Sequence, residues 1–301
     1  AAAAAAEQDT VRVVSRWRSS THEVQEDPPM THRRFVALIA TFLIVSATSY
    51  GDISDGLVSA WTFDDGKADD AFGNSDGILH EGAEGIDDGM RGAGLDFDGV
   101  AAWVEVPDVD AFDVMEEAYT LSAWANVRTG KDHSGIVFKG VKIGWGANFT
   151  ARIATVSPTD LTWGACAGGL EGWFRTDGVY AVNEWVHVCL TADGAEVTGY
   201  VDGELVPSGG QQNPTAVAAP YNLFKDNALE FGVGRAIGGN VGQDAFLDGS
   251  VDEIYLYNRA VTADELAELA EGERPRAVDS ALGVDAGGKV ATAWAALKGH
   301  R

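Results

Sequence analysis

Six oxygen-bearing side chains stand in two groups far apart in the chain: Asp64, Asp65, Asn74 and Asp76 early, Asp252 and Glu253 late. Carboxylates and amide oxygens are the hard donors that calcium takes, six to eight at a time. The early four follow an apolar, alternating run, and the late two lie inside another. They can serve one ion only if folding brings the two groups together. The competing use is local, with Asp64 and Asp252 capping turns and accepting backbone N–H groups.

A second set suits sugars. A sugar offers apolar C–H faces that stack on aromatic rings, and hydroxyls that need planar polar partners. Trp145, Asn148, Trp163 and Trp173, with Tyr180, Arg152 and Arg175 close by, supply both kinds of group in the middle of the chain. Their competing use is to fill the core, which is the expectation for Trp61, Trp124 and Trp185 on regularly alternating segments.

Hydrolysis of a glycosidic bond is the rival chemistry. It needs two carboxyl groups about 5–5.5 Å apart for retention. Asp252 and Glu253 are adjacent within a strand-like run, and neighbours on a strand point to opposite faces. That predicts one ligand and one buried contact, not an acid–base pair, so no catalytic residue is assigned and no enzyme is expected. His187 alternates within a strand with no second histidine near it, as a structural histidine would. No Gly-x-Ser-x-Gly elbow, P-loop or C-x-x-C occurs. The two cysteines, Cys166 and Cys189, are a candidate disulfide closing about 23 residues if the chain is exported. Otherwise they are buried thiols.

The elements that position these groups read as strands. Leu57–Phe63, Ala102–Val106, Tyr119–Val127 and Trp185–Leu190 alternate with period two, and Gly249–Tyr257 reads as the last clear strand. Asp98-Gly99, Asp193-Gly194 and Asp202-Gly203 are turn signals, the last two nine residues apart as in a meander. Glycine is frequent (37) and proline scarce (8), as many tight turns require. One late helix is predicted, opened by the capping box Thr262-Ala-Asp-Glu265, turned inward at Leu266, Leu269 and Ala270, and stopped by Gly272 and Pro275. The expectation is an all-β, two-sheet antiparallel jelly-roll sandwich with one short C-terminal helix.

Residues 30–51 have a basic start, an apolar run from Phe35 to Val45 and small residues at the exit, the three parts of a secretory signal peptide. The domain map is therefore 1–29 a disordered upstream extension, 30–51 the signal, 52–275 the domain and 276–301 a tail. The net charge is −25. The first 51 residues carry equal numbers of each sign, so the whole acidic excess lies in the domain and tail. Such a surface repels nucleic acid. The expected location is outside the cell or on its surface, with a membrane engaged only through the signal.

Four segments together resemble the concanavalin A-like, laminin-G-type domains. They are Gly56–Gly66 continuing through Asp70–Gly77; Gly92–Gly99 with Trp103–Pro107 and Tyr119–Trp124; Glu184–Val188 with Asp193-Gly194 and Tyr200–Gly203; and Leu247–Ile254 with Tyr257–Leu266. They occur in the family's order over about residues 55–272. The resemblance implies that first and last strands lie side by side, with a calcium or structural polar site between them. It also implies a non-catalytic carbohydrate-binding or adhesion module that takes glycan, matrix or cell-surface partners. The alternatives are a protein-binding structural adhesion domain and, less favoured, a polysaccharide-degrading enzyme. Enzymes of this fold carry Glu-x-Asp-x-x-Glu on one strand, a run this sequence lacks.

Overall fold

The computed structural model describes residues 52–114, 118–143, 146–167, 170–194, 196–206, 209–213, 231–236 and 245–283. The upstream extension, the signal segment, Trp145, residues 214–230 and the tail from 284 onward lie outside them.

In chain order the strands are β1 (Leu57–Trp61), β2 (Ile78–His80), β3 (Glu84–Ile86), β4 (Gly94–Asp98), β5 (Trp103–Val106), β6 (Tyr119–Thr129), β7 (Gly135–Ile143), β8 (Gly146–Ser157) and β9 (Asp160–Ala167). They continue with β10 (Leu170–Thr176), β11 (Trp185–Ala192), β12 (Val197–Val201), β13 (Glu204–Leu205), β14 (Gly209–Asn213), β15 (Phe231–Val233), β16 (Arg235–Ala236), β17 (Ala245–Phe246) and β18 (Asp248–Tyr257). Two helices follow, α1 (Ala263–Ala270) and α2 (Arg276–Ala281).

Sixteen of the described strands form two large antiparallel sheets, as the alternation predicts, and β16 and β17 pair as a small separate ribbon. The first runs β13-β12-β11-β6-β18-β4-β3, with β1 also on β18, and the second runs β14-β10-β9-β8-β7-β15-β5-β2. Their facing sides make the core. Leu121, Ala123, Ala125 and Val127 of β6 and Val186, Val188 and Leu190 of β11 meet Val104 and Val106 of β5, Ile153 of β8 and Leu161 of β9. Trp61 stacks on Phe231 from sheet to sheet, centroids 5.4 Å apart, and its indole N–H donates to the Ser75 carbonyl at 2.9 Å. Burying such a ring contributes on the order of 2–3 kcal/mol.

The two late Asp-Gly turns join β11, β12 and β13 as a meander. Asp202 and Gly203 both take positive φ (49° and 79°), as a tight hairpin turn requires. Asp98-Gly99 behaves differently. It is no hairpin, because β4 and β5 belong to opposite sheets. The Asp98 carboxylate instead accepts the N–H groups of Val100, Ala101 and Ala102 at 2.8–3.0 Å, folding a crossover loop around itself.

The outer face of the first sheet is covered by the helices, and Ile53, Leu57, Ala60, Tyr255, Tyr257, Leu269 and Val278 form a second apolar cluster there. The capping box of α1 is formed, and Glu265 also takes a bidentate hydrogen bond from Arg259 at 2.7 and 2.8 Å. Leu266 and Leu269 are buried as predicted, while Ala270 is only half-buried. One helix is predicted, but the described residues hold two: α2 lies past the expected domain end at 275 and buries Val278 completely. Its single apolar anchor is too short a pattern to read as amphipathic. Among the described residues no helix is long and apolar enough to cross a membrane.

Candidate functional site

First and last strands are neighbours. β1 pairs with β18 from Leu57↔Tyr257 to Trp61↔Ile254. The N-terminal half of β18 pairs with β4, Asp248↔Asp98 to Val251↔Leu95, while β6 runs along its other edge. Thus β18 changes partner midway, from β4 to β1. The residues at that seam are Asp252 and Glu253, where the register against β6 shifts and Glu253 takes a φ of +48°. This is a β-bulge, one extra residue that bends the strand and re-aims its side chains. Adjacent side chains were expected on opposite faces. The bulge cancels that alternation, and both carboxylates feel the charge of Asp64 just beyond β1.

The cation in this nest is Arg274, from the segment between the helices. Its guanidinium pairs with the Asp64 carboxylate, Nη1 to Oδ2 at 2.9 Å, and donates to Glu253 through Nε at 3.1 Å and through Nη2. The Tyr255 hydroxyl also donates to Glu253. Asp252 accepts backbone N–H groups on both oxygens, Glu253 N on Oδ1 at 2.8 Å and Arg91 N on Oδ2 at 2.9 Å. Gly92, at φ +79°, lets that loop close, since a Cβ there would stand 2.4 Å from Asp64 Oδ1. Asp252 is 0 % exposed, Glu253 2 % and Arg274 6 %.

Burial, and then the neighbouring charge of Glu253, push the Asp252 carboxyl up to about 8. Burial likewise raises Glu253, with Arg274 pulling against it. Burial opposes the charge on Arg274, but Glu253 and Asp64 outweigh it and hold the guanidinium charged. The pair is a buried, hydrogen-bonded ion pair whose loss on one side alone is costly.

The early residues form a separate arrangement. Asp70 Oδ1 accepts Ala60 N (3.0 Å), Phe72 N (3.1 Å) and Gly73 N (2.8 Å), and Oδ2 accepts Ser75 N (3.0 Å). Asp76 Oδ1 accepts Asp70 N at 2.8 Å. Asp65 pairs with Lys67 at 2.7 Å, and Asn74 is exposed. So the six sequence-predicted ligands divide: Asp64 and Glu253 meet at Arg274, Asp252 is held beside them by backbone amides, Asp76 braces the Asp70 loop, Asp65 pairs with Lys67 and Asn74 is exposed. Among the described residues no group of three or more histidine, cysteine, aspartate or glutamate side chains is arranged to hold a metal ion. The oxygens that do meet are already taken by a guanidinium and backbone amides, so this donor set does not fit calcium.

Of the aromatic set, Trp163 is corrected outright. It is 0 % exposed, lies in the core and donates through its indole N–H to Thr176 Oγ1 at 2.9 Å. Its glycine and polar neighbours occupy alternate positions on β9 and say nothing of its own face. Tyr180 and Arg152 are also buried, and Arg175 pairs with Asp160 and Asp177. Asn148 lies on β8 opposite Val141, and Trp173 lies on β10 opposite Gly164. Of the two alternatives for Cys166 and Cys189, bridge or buried thiols, the described residues show no bridge. Cys189 carries a free, buried thiol. It alternates with the core residues Val188 and Leu190 of the first sheet and so faces away from the second sheet, to which Cys166 belongs. Burial alone pushes His187 down to about 3, so the imidazole is neutral, with Nε2 at 2.8 Å from Ser122 Oγ. This is the structural role expected.

Sequence reasoning missed a polar cluster on the second sheet. His80 stacks on Trp103, centroids 4.6 Å apart, and its Nε2 lies 2.7 Å from Glu105 Oε2. The Arg235 guanidinium lies 4.1 Å from the Trp103 ring centroid. Trp103 and Glu105 alternate with the core residues Val104 and Val106, so this cluster is on the sheet's outward face. His80 and Glu105 keep about a third of their side-chain surface open. Contributions from three separate strands left no local spacing to detect. Arg274 was missed for a related reason, since a lone arginine after a helix carries no motif.

Similarity to known proteins follows the same lines. No curated protein matches the sequence. Among solved structures, domain 4 of AbnA, a GH43 extracellular arabinanase from Geobacillus stearothermophilus, in complex with arabinotriose, is similar at 19 % identity and a TM-score of 0.52, covering 71 % of this chain and 98 % of that one. The binding domain of Paraclostridial Mosquitocidal Protein 1 is similar at 17 % identity and a TM-score of 0.55, covering 73 % and 53 %. The binding domain of Botulinum Neurotoxin DC, in complex with SialylT, is similar at 11 % identity and a TM-score of 0.53, covering 73 % and 52 %. The chain thus spans nearly all of the arabinanase domain and about half of each toxin chain. Trypanosoma rangeli sialidase is similar at 18 % identity and a TM-score of 0.51, with only 33 % of its chain covered. At these identities the likeness is one of fold. A family model, described as the concanavalin A-like lectin/glucanases superfamily, matches residues 98–267, more than half of the sequence. With that match, and with its first and last strands paired in a two-sheet jelly roll, the chain belongs to the concanavalin A-like lectin/glucanase superfamily.

Proposed function

We propose that this chain is a non-catalytic carbohydrate-binding module that works outside the cell. The observation that carries the reading is the outward face of the second sheet, where the part-exposed imidazole of His80 and carboxylate of Glu105 sit with the Arg235 guanidinium over Trp103, an indole itself only 8 % exposed. Planar polar groups beside an indole are the partners that sugar hydroxyls and C–H faces need. Asn148 and Trp173 lie on strands of the same sheet and join the proposed contact set. Two similar domains were solved with arabinotriose and SialylT bound, which supports a saccharide as the partner class.

The absence of catalysis is part of the proposal. Hydrolysis needs one carboxyl group free to give a proton and another free to attack or to activate water. Asp252 and Glu253 are adjacent but buried, and their oxygens are bound to backbone amides, Tyr255 and Arg274. Export is proposed from the segment at residues 30–51.

A glycan array probed with residues 52–301 and with the H80A and W173A variants tests the reading. Wild type is expected to bind one class of saccharide, and each variant to lose at least tenfold in affinity while keeping its melting temperature. If wild type binds a protein of the extracellular matrix and no glycan, the structural adhesion alternative takes its place.

A further inference from the structure

We propose that Arg274 is the built-in counter-ion of this module, standing where a divalent cation would otherwise neutralise the seam between β1, β4 and β18. Three observations converge. The nest joins carboxylates from two distant segments, Asp64 after β1 and Asp252-Glu253 in the bulge of β18. A single guanidinium bridges Asp64 and Glu253, and the remaining oxygens of Asp252 are closed by backbone amides. The segment that brings the guanidinium is itself fastened around it. Arg91 Nη1 donates to the Gly272 carbonyl at 3.1 Å, Ala277 N donates to Ser54 Oγ at 3.1 Å, and Val278 is buried in the outer apolar cluster. The charged groups facing Arg274 are Asp64, Glu253 and, at 3.9 Å, Asp279, which lies equally far from Arg91.

The segment from Gly272 to Ala281 is therefore a clasp. It supplies charge from within the chain, so closure of the sandwich is independent of free calcium. It also makes the folded module longer than the family match, which ends at residue 267. A chain cut after Glu271 would keep every strand and α1 yet bury Glu253 with no opposite charge.

The test uses the mature chain, residues 52–301, and follows thermal unfolding. Wild type is expected to melt at the same temperature, within about 1 °C, in EDTA and in millimolar calcium. Breaking a buried pair on one side is among the more damaging changes, so R274M is expected to lower the melting temperature by about 10 °C. R274K, which keeps charge but not the fork, should lose roughly half as much. E253Q/R274M should recover part of the R274M loss, because the uncompensated carboxylate is gone. That recovery, which a merely space-filling arginine would not give, is the specific reading. If R274M does not fold, R274K, E253Q and the chelation series still decide the matter. A fall of 5 °C or more on chelation, an R274M or R274K melting temperature equal to wild type, or a double variant no better than R274M would each overturn the proposal.

Discussion

Replacing Asp70 by alanine removes one carboxylate and four acceptor contacts. Three of its donors, Ala60 N, Gly73 N and Ser75 N, are partly buried, whereas Phe72 N is exposed and recovers its bond from water. A hydrogen bond to a charged acceptor is worth about 1.5–3 kcal/mol when the donor is left dry, and less where water can enter. At about 1 kcal/mol for each partly buried donor, Asp70→Ala should cost about 3 kcal/mol. For a domain of this size that lowers the melting temperature by about 6–12 °C. Asp70→Asn keeps one acceptor oxygen and should lose about half as much. Urea unfolding followed by circular dichroism gives both values, with an unchanged m-value showing that only stability moved. A loss under 1 kcal/mol for alanine would refute the claim that this carboxylate holds the loop. So would a wild type that calcium stabilises and an Asp70→Ala variant that it does not, since the carboxylate would then be a metal ligand.

Further outcomes follow from buried ionisable groups. The Asp252 carboxyl, raised to about 8, lends stability that is complete below the ordinary carboxylate range near 4 and is lost as pH rises through about 8. His187, lowered to about 3, does the reverse, its contribution being complete above about 6.5 and lost as pH falls. The two slopes oppose each other between about 4 and 6.5, so stability should be flat there. It should then fall by up to about 2 kcal/mol from pH 6.5 to 8. Asp252→Asn should flatten that upper limb, and a wild-type profile already flat to pH 8 would contradict the assignment. Cys189, whose thiol burial pushes far above its ordinary range, should resist alkylation until the chain is unfolded. A non-reduced peptide map joining Cys166 to Cys189 would count against the structure. Gly73→Ala should destabilise by at least 1 kcal/mol, because a Cβ there would meet Asp70 Oδ2 at 2.5 Å and the Val58 carbonyl at 2.6 Å.

The sheets were legible because their cause is local and repeated. Each β6 or β11 residue that faces the core alternates with one that does not, and the capping box of α1 is spelled out in four consecutive residues. The pairing of β1 with β18 followed from family resemblance, not from any local signal. The bulge is written in the sequence: the core positions of β18 run Val251, then Ile254 and Leu256, so their phase slips by one residue across Asp252-Glu253. Reading that slip would have brought both carboxylates to one place. Arg274 was not legible, since its role depends on a nest assembled from segments about 20 and 210 residues away. The misplacement of Trp163 has the opposite origin. Gly164 and the polar residues beside it describe the other face of β9, so they carry no information on where Trp163 points.

Binding without cleavage is the centre of this account, and one measurement addresses it directly. Residues 52–301 are mixed with the saccharide they capture best on the array, and saturation-transfer NMR is followed overnight on the same tube, first without EDTA and then after its addition. The account predicts transfer onto a sugar that stays intact, at an intensity the chelator leaves unchanged. The appearance of new reducing-end anomeric signals, or the disappearance of transfer when EDTA is added, would contradict it.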